Sequence, residues 1–159
     1  MSAFLDPLDT RHVGWGDGRP IFMTLAPLRY QSSRLGRTVV IPAETVTDFA
    51  SVPRLPIVWL ATGGRGPRSA VLHDFAYQFG FWLLEDGGRT EVEKQEVDAV
   101  FYESLLADPI SGAGAFRATE MWAGVRLNLN GGIWKNLTRR RALNPEWSAG
   151  GVPDHVEAP

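Results

Sequence analysis

The 159-residue chain contains no cysteine. A disulfide framework, a thiolate zinc site, an iron–sulfur cluster and a cysteine nucleophile are therefore excluded, while the compartment stays open. Lysine is scarce, with Lys94 and Lys135 the only two among sixteen basic residues, a bias of codon usage in a GC-rich genome and not of function. Histidine is limited to His12, His73 and His155. Apolar runs such as Ile57 to Ala61 are far too short to span a membrane, and no basic stretch leads into an apolar one at the N-terminus. Neither a signal peptide nor a membrane anchor is expected. An excess of one charge is also missing: sixteen basic residues against eighteen acidic ones give a net charge of -2, too little to draw the chain toward nucleic acid or an anionic membrane. Internal repeats and low-complexity tracts are absent.

What is present is the composition of a soluble globular domain, 44% hydrophobic and 21% charged. A chain this long buries roughly two thirds of its unfolded surface and needs no staple. Residues 1–19 hold Asp6, Pro7, Asp9, Gly14, Gly16, Asp17 and Gly18, a density of turn formers that predicts an irregular N-terminal segment. Residues 20–46 read as strands. Ile21 to Gln31 alternates, Thr38 to Pro42 is β-branched, and the polar linker Ser32 to Arg37 predicts an antiparallel hairpin between them.

The period changes after Thr47 to Pro53, and residues 54–135 read as mainly helical. A short segment over Ile57 to Ala61 is closed by the glycine-rich stretch Thr62 to Pro67. A first long helix is predicted over Arg68 to Leu84, stopped by Glu85-Asp86-Gly87-Gly88. Thr90, with Glu93 three residues on, predicts a capping box opening a second helix that runs to Ala107. A third spans Ala115 to Asn130 on a stripe of Ala118, Trp122, Val125 and Leu129. The fold class is α+β: a small N-terminal antiparallel sheet packed on about three long helices. A single domain over residues 1–141 is followed by an irregular tail, residues 142–159.

Chemistry concentrates on two of these helices. With Leu72, Phe75, Phe79 and Leu83 facing inward, a rotation of about 100° per residue puts His73 and Tyr77 on one flank of the stripe and turns Asp74 away from it. On the next helix the stripe is Val97, Val100, Phe101 and Leu105, and Asp98 sits on its edge. A carboxylate there is costly unless paired, and two antiparallel helices would bring His73 within reach of it. Such a dyad fixes the tautomer of the imidazole and equips it as a general base. It equally describes a histidine held in a core by one hydrogen bond.

Taken together, Thr47-Asp48-Phe49-Ala50-Ser51-Val52-Pro53, Leu72-His73-Asp74 with Tyr77, Asp98 with Phe101, Met121 through Val125-Arg126, and Trp134 resemble an uncharacterised family of small proteins encoded by tailed phages and prophages. That resemblance implies a phage or prophage source. A second is mechanistic: His73-Asp74-Phe75 with Tyr77, then Asp98 with Phe101 and Tyr102, is similar to the paired active-site helices of small bacterial and fungal phospholipases A2. It implies that His73 is the base acting on water, with Asp98 orienting it and Tyr77 completing the catalytic group. Asp74 would be a calcium ligand, with Asp48 and backbone oxygens of Thr47 to Ser51 as further candidates. The cation would polarise an ester carbonyl and hold the oxyanion. Unlike those disulfide-stapled enzymes, this chain has no cysteine and no clear glycine-rich calcium loop.

Other features are weaker. An HD-type metal phosphohydrolase would need His12 and His155, at opposite ends of the chain, to converge on His73-Asp74. Arg139-Arg140-Arg141 with Lys135 and Trp134 reads as a solvated basic cap, and Gly63-Gly64-Arg65-Gly66 lacks the lysine and hydroxyl of a phosphate loop. Trp15 and Trp147, in the predicted irregular ends, are candidate anchors for virion partners or self-association, together with the C-terminal tail. Two functions follow. One is a calcium-assisted ester hydrolase acting on a host envelope component. The other is a non-enzymatic virion or assembly protein of the head, neck or tail, made in the host cytoplasm and packaged with the particle, whose dyad clamps two helices. An enzyme requires His73 at an open cleft, and a clamp requires it sealed.

Overall fold

A computed structural model describes residues 1–16, 19–49, 67–108, 118–119 and 121–123. The elements follow in chain order as β1 (Ala3–Phe4), β2 (Thr10–Gly16), β3 (Arg19–Thr24), β4 (Leu28–Ser32), β5 (Arg37–Ile41), β6 (Val46–Thr47), α1 (Pro67–Phe79), β7 (Phe81–Leu84), β8 (Arg89–Glu91) and α2 (Lys94–Ala107). They form a five-stranded antiparallel sheet, β1-β4-β5-β7-β8, and a three-stranded one, β2-β3-β6. The class is α+β, as expected. The β4–β5 hairpin is also the one anticipated, with Leu28 opposite Ile41 and Ser32 opposite Arg37.

The N-terminal segment differs from expectation. Residues 5–9, with Asp6, Pro7 and Asp9, lie outside the strands as expected, but β1 pairs with β4, and β2 pairs with β3 from Thr10 opposite Thr24 to Gly16 opposite Arg19. A register shift between His12 and Gly14 leaves Val13 as the extra residue of a bulge, and Gly14 and Gly16, which read as turn formers, are paired within the ladder. The apolar run Ile21 to Gln31 is likewise not one strand. It breaks at Leu25-Ala26-Pro27, sending β3 to one sheet and β4 to the other. Thr24 holds this junction from a fully buried position, its hydroxyl donating to Pro42 O at 2.9 Å and accepting from Thr45 N at 3.0 Å.

The first long helix is shorter than predicted. It ends at Phe79, where Gly80 takes φ +76 and its N–H bonds back to Ala76 O at 2.8 Å. Phe81-Trp82-Leu83-Leu84 continues as β7 inside the large sheet, with Val39 opposite Leu84 and Val40 opposite Leu83. Helical periodicity runs through these residues because a strand covered on both faces is apolar at every position and mimics any period. The stop signal at Asp86-Gly87-Gly88 is instead the β7–β8 turn, with Gly87 at φ +81. Thr90 therefore lies in β8 opposite Trp82 and caps nothing; α2 begins at Lys94 after Glu93, which makes no side-chain cap.

The antiparallel course of α1 and α2 is read from their rungs: Arg68 pairs with Asp108, His73 with Asp98, and Lys94 lies over the Tyr77 ring. The core lies between this helix pair and the large sheet. Leu28, Tyr30, Val39 and Ile41 meet Leu72, Phe75 and Ala76 of α1 and Val97 and Val100 of α2. A second cluster joins Ala70, Phe101 and Leu105 to Ala118 and Met121. Residues 118–119 and 121–123 are helical, in agreement with the third predicted helix, and Ala118 is buried as expected; Val125 and Leu129 of its stripe lie outside the described residues. The segment Ile57 to Ala61, the stretch Thr62 to Gly66, the basic cluster, Trp147, His155 and the tail also lie outside them. Among the described residues no helix is long and apolar enough to cross a membrane.

Candidate functional site

Asp98 is the centre of a side-chain cluster between α1 and α2. Its Oδ1 lies 3.2 Å from His73 Nε2 and accepts the Tyr77 hydroxyl at 2.6 Å, while its Oδ2 accepts Lys94 Nζ at 2.6 Å. Helix geometry explains the set. His73 and Tyr77 are one turn apart on α1, Lys94 and Asp98 one turn apart on α2, and each pair shares a face. Imidazole and carboxylate are both buried, with side chains only 1% exposed. The His73 ring packs between Tyr77, 4.0 Å away between centroids, and Phe101, 4.7 Å away.

Burial pushes the Asp98 carboxyl upward. Hydrogen bonds from His73, Lys94 and Tyr77, with the coulombic attraction of His73, outweigh it and bring the group down from an ordinary 3.8 to about 2. The carboxylate is therefore ionised across the physiological range. Because the carboxylate engages Nε2, proton-accepting chemistry of the imidazole would run through Nδ1.

Asp74 is not where the helical wheel put it. It is 7% exposed, and its Oδ2 accepts the buried Thr47 hydroxyl at 2.5 Å. A wheel that assumes one covered face fails here because α1 is covered twice, by α2 and the large sheet and also by β6. Gln78 strengthens that second contact by donating to Val46 O at 2.9 Å. Thr47 opens the Thr47 to Pro53 block, so the head of this block meets Asp74 in space. Phe49 follows with φ 51, and its N–H bonds to Thr47 Oγ1 at 3.1 Å.

Asp74 is buried and Asp48, next in sequence to the Thr47 that contacts it, is half-buried, and both carry the hard oxygens that calcium takes. Among the described residues no group of three or more His, Cys, Asp or Glu is placed to hold a metal ion. His12 offers nothing to the His73-Asp74 pair as a phosphohydrolase ligand. It stands on β2 with its ring against Trp15 and Phe22.

Of the five candidate residues, the structure brings His73, Tyr77 and Asp98 into direct contact and directs Asp74 to the segment that carries Asp48. From sequence, Lys94 is not singled out, and Thr47 is named only for its backbone oxygen, not for its hydroxyl. The first had a signal in its four-residue spacing to Asp98, and the second in its place at the head of the Thr47 to Pro53 block.

Residues 22–125, more than half of the chain, match a family described as protein of unknown function, DUF1353. The chain belongs to this family. The matched span starts within β3 and includes the Thr47 to Pro53 block, the His73-Asp74 pair and Asp98, so the whole cluster lies inside the family region. No curated protein and no solved structure matches the chain.

Proposed function

We propose that the chain is a hydrolase that uses His73 as a general base on water, with an ester of a host envelope component as its substrate. One observation carries the reading: the contact of His73 Nε2 with Asp98 Oδ1 across two antiparallel helices, with Tyr77 on the same oxygen. Asp98 would hold the imidazole in one tautomer and stabilise its cation as Nδ1 takes the proton of water; Tyr77 would keep the carboxylate aligned. This is the arrangement expected from the resemblance to phospholipases A2. Asp74, assisted by Asp48, would hold calcium, which when bound polarises the carbonyl under attack. Asp74, one residue along from His73 and bonded to Thr47, is a second buried acidic side chain, and a clamp made of His73 and Asp98 has no use for it. A phage or prophage source and a site of production in the host cytoplasm belong to the same proposal.

A second reading is favoured by a specific observation, the 1% exposure of both His73 and Asp98 side chains. It makes the chain a virion or assembly protein in which the pair locks α1 to α2. Trp15, 72% exposed, would then be a docking residue, presented on strand β2 and not on an irregular end.

Fatty-acid release from mixed phospholipid vesicles, with and without calcium, separates the two. The hydrolase predicts calcium-dependent release that falls by about 10²-fold or more in His73→Asn, and saturable calcium binding by calorimetry that disappears in Asp74→Asn. Absence of release and of binding by the wild-type protein would leave the helix clamp.

A further inference from the structure

We propose that Lys94 is a positioning residue for the dyad: by gripping Asp98 Oδ2 it turns Oδ1 toward His73 Nε2. The functional meaning of this role rests on the hydrolase reading; the geometry does not. Nζ sits 2.6 Å from Oδ2 and 5.7 Å from the centre of the Tyr77 ring, so one ammonium group touches the carboxylate and covers the phenol that shares it.

The location of Lys94 argues against an incidental surface pair. It is the first residue of α2, where the helix dipole disfavours a cation, and Lys preceding Asp by four residues is the weaker order for stabilising a helix. Neither the helix end nor an exposed pair accounts for a lysine here. Asp98 does. A buried carboxylate between two helices has two oxygens to satisfy, and α1 supplies donors to only one of them, His73 and Tyr77 both meeting Oδ1. With Oδ2 unmatched the group would rotate about χ2 to share its donors, because that torsion is soft in aspartate. Lys94 removes this freedom from its own helix. Its side chain is 24% exposed while that of Asp98 is 1% exposed, so it closes the cluster on the solvent side.

The test is nitrogen-detected NMR of the histidine rings in the full chain, on wild type, Lys94→Met and Lys94→Arg. Wild type should show His73 as the Nε2–H tautomer with a slowly exchanging ring proton. Lys94→Met, which keeps the stem and removes the charge, should lose the slow proton and mix the tautomers, and Lys94→Arg should restore both. A wild-type ring signature in Lys94→Met overturns the proposal, as does an arginine variant that behaves like methionine. If Lys94→Met does not fold, Lys94→Arg decides alone, and loss of its slow ring proton is fatal. Wild-type vesicle hydrolysis, measured in parallel, reports on the hydrolase reading separately. An inactive wild type with the expected ring signatures sinks that reading and keeps the positioning role.

Discussion

Arg68 and Asp108, forty residues apart, form a buried ion pair at the end of the helix pair opposite Lys94, with side chains 10% and 1% exposed. The guanidinium also lies 4.8 Å from the centre of the Phe4 ring, tying β1 to both helices. Arg68→Met should therefore lower the unfolding free energy by about 3–5 kcal/mol, because Asp108 would remain buried without its cation. Arg68→Met combined with Asp108→Leu should recover much of the loss. Urea denaturation of the single and double variants measures both, and a double variant no more stable than the single would refute the pairing argument.

The pH dependence of stability should carry the imprint of Asp98. Its carboxyl lies at about 2 in the folded chain against an ordinary 3.8, so between these values the unfolded chain binds more protons and stability rises with pH. The contribution is complete above the ordinary value and lost as pH falls through about 2. It amounts to about 2 kcal/mol. Unfolding curves at about pH 6 and about pH 2.5 should differ less in Asp98→Asn than in wild type by roughly that amount.

Phe101 is fully buried, packs 4.7 Å from the His73 ring, and belongs to the cluster with Ala70, Leu105, Ala118 and Met121. Truncating it to alanine should cost about 3–5 kcal/mol through the cavity it leaves. The same change should free the His73 ring to reorient, visible as broadening of its NMR resonances. A stable variant with an unaltered ring would show that Tyr77 alone confines the imidazole.

Gly80→Ala tests the hinge between α1 and β7. An added Cβ would meet nothing within 4 Å, so the only cost is that of a left-handed residue at φ +76, roughly 1–2 kcal/mol. Chemical denaturation gives the value. A cost near zero would mean that the turn relaxes to another conformation.

Trp15→Ser should leave the stability within about 0.5 kcal/mol, since the indole is 72% exposed. If the assembly reading holds, sedimentation velocity should show weaker self-association in this variant at equal stability.

Sequence alone determined the α+β class, the β4–β5 hairpin, α2 apart from the residue at which it starts, and the encounter of His73 with Asp98. These rest on local rules: alternation, the 3.6-residue period, and the cost of a carboxylate beside an apolar stripe. Only the tertiary structure decided what those rules cannot see. Phe81 to Leu84 is a strand because β5 offers it a hydrogen-bonding edge, and residues 10–16 are a strand because β3 does. Both depend on a partner distant or unrecognised in sequence, and periodicity carries no record of pairing. Asp74 is buried because β6 covers a side of α1 that the wheel assigned to water, and Lys94 joins the site because Asp98, one turn further along the same helix, is turned inward. Hydrophobic pattern tells which face of an element is covered first. A second cover, and which oxygen of a shared carboxylate each donor takes, follow only once the elements are packed.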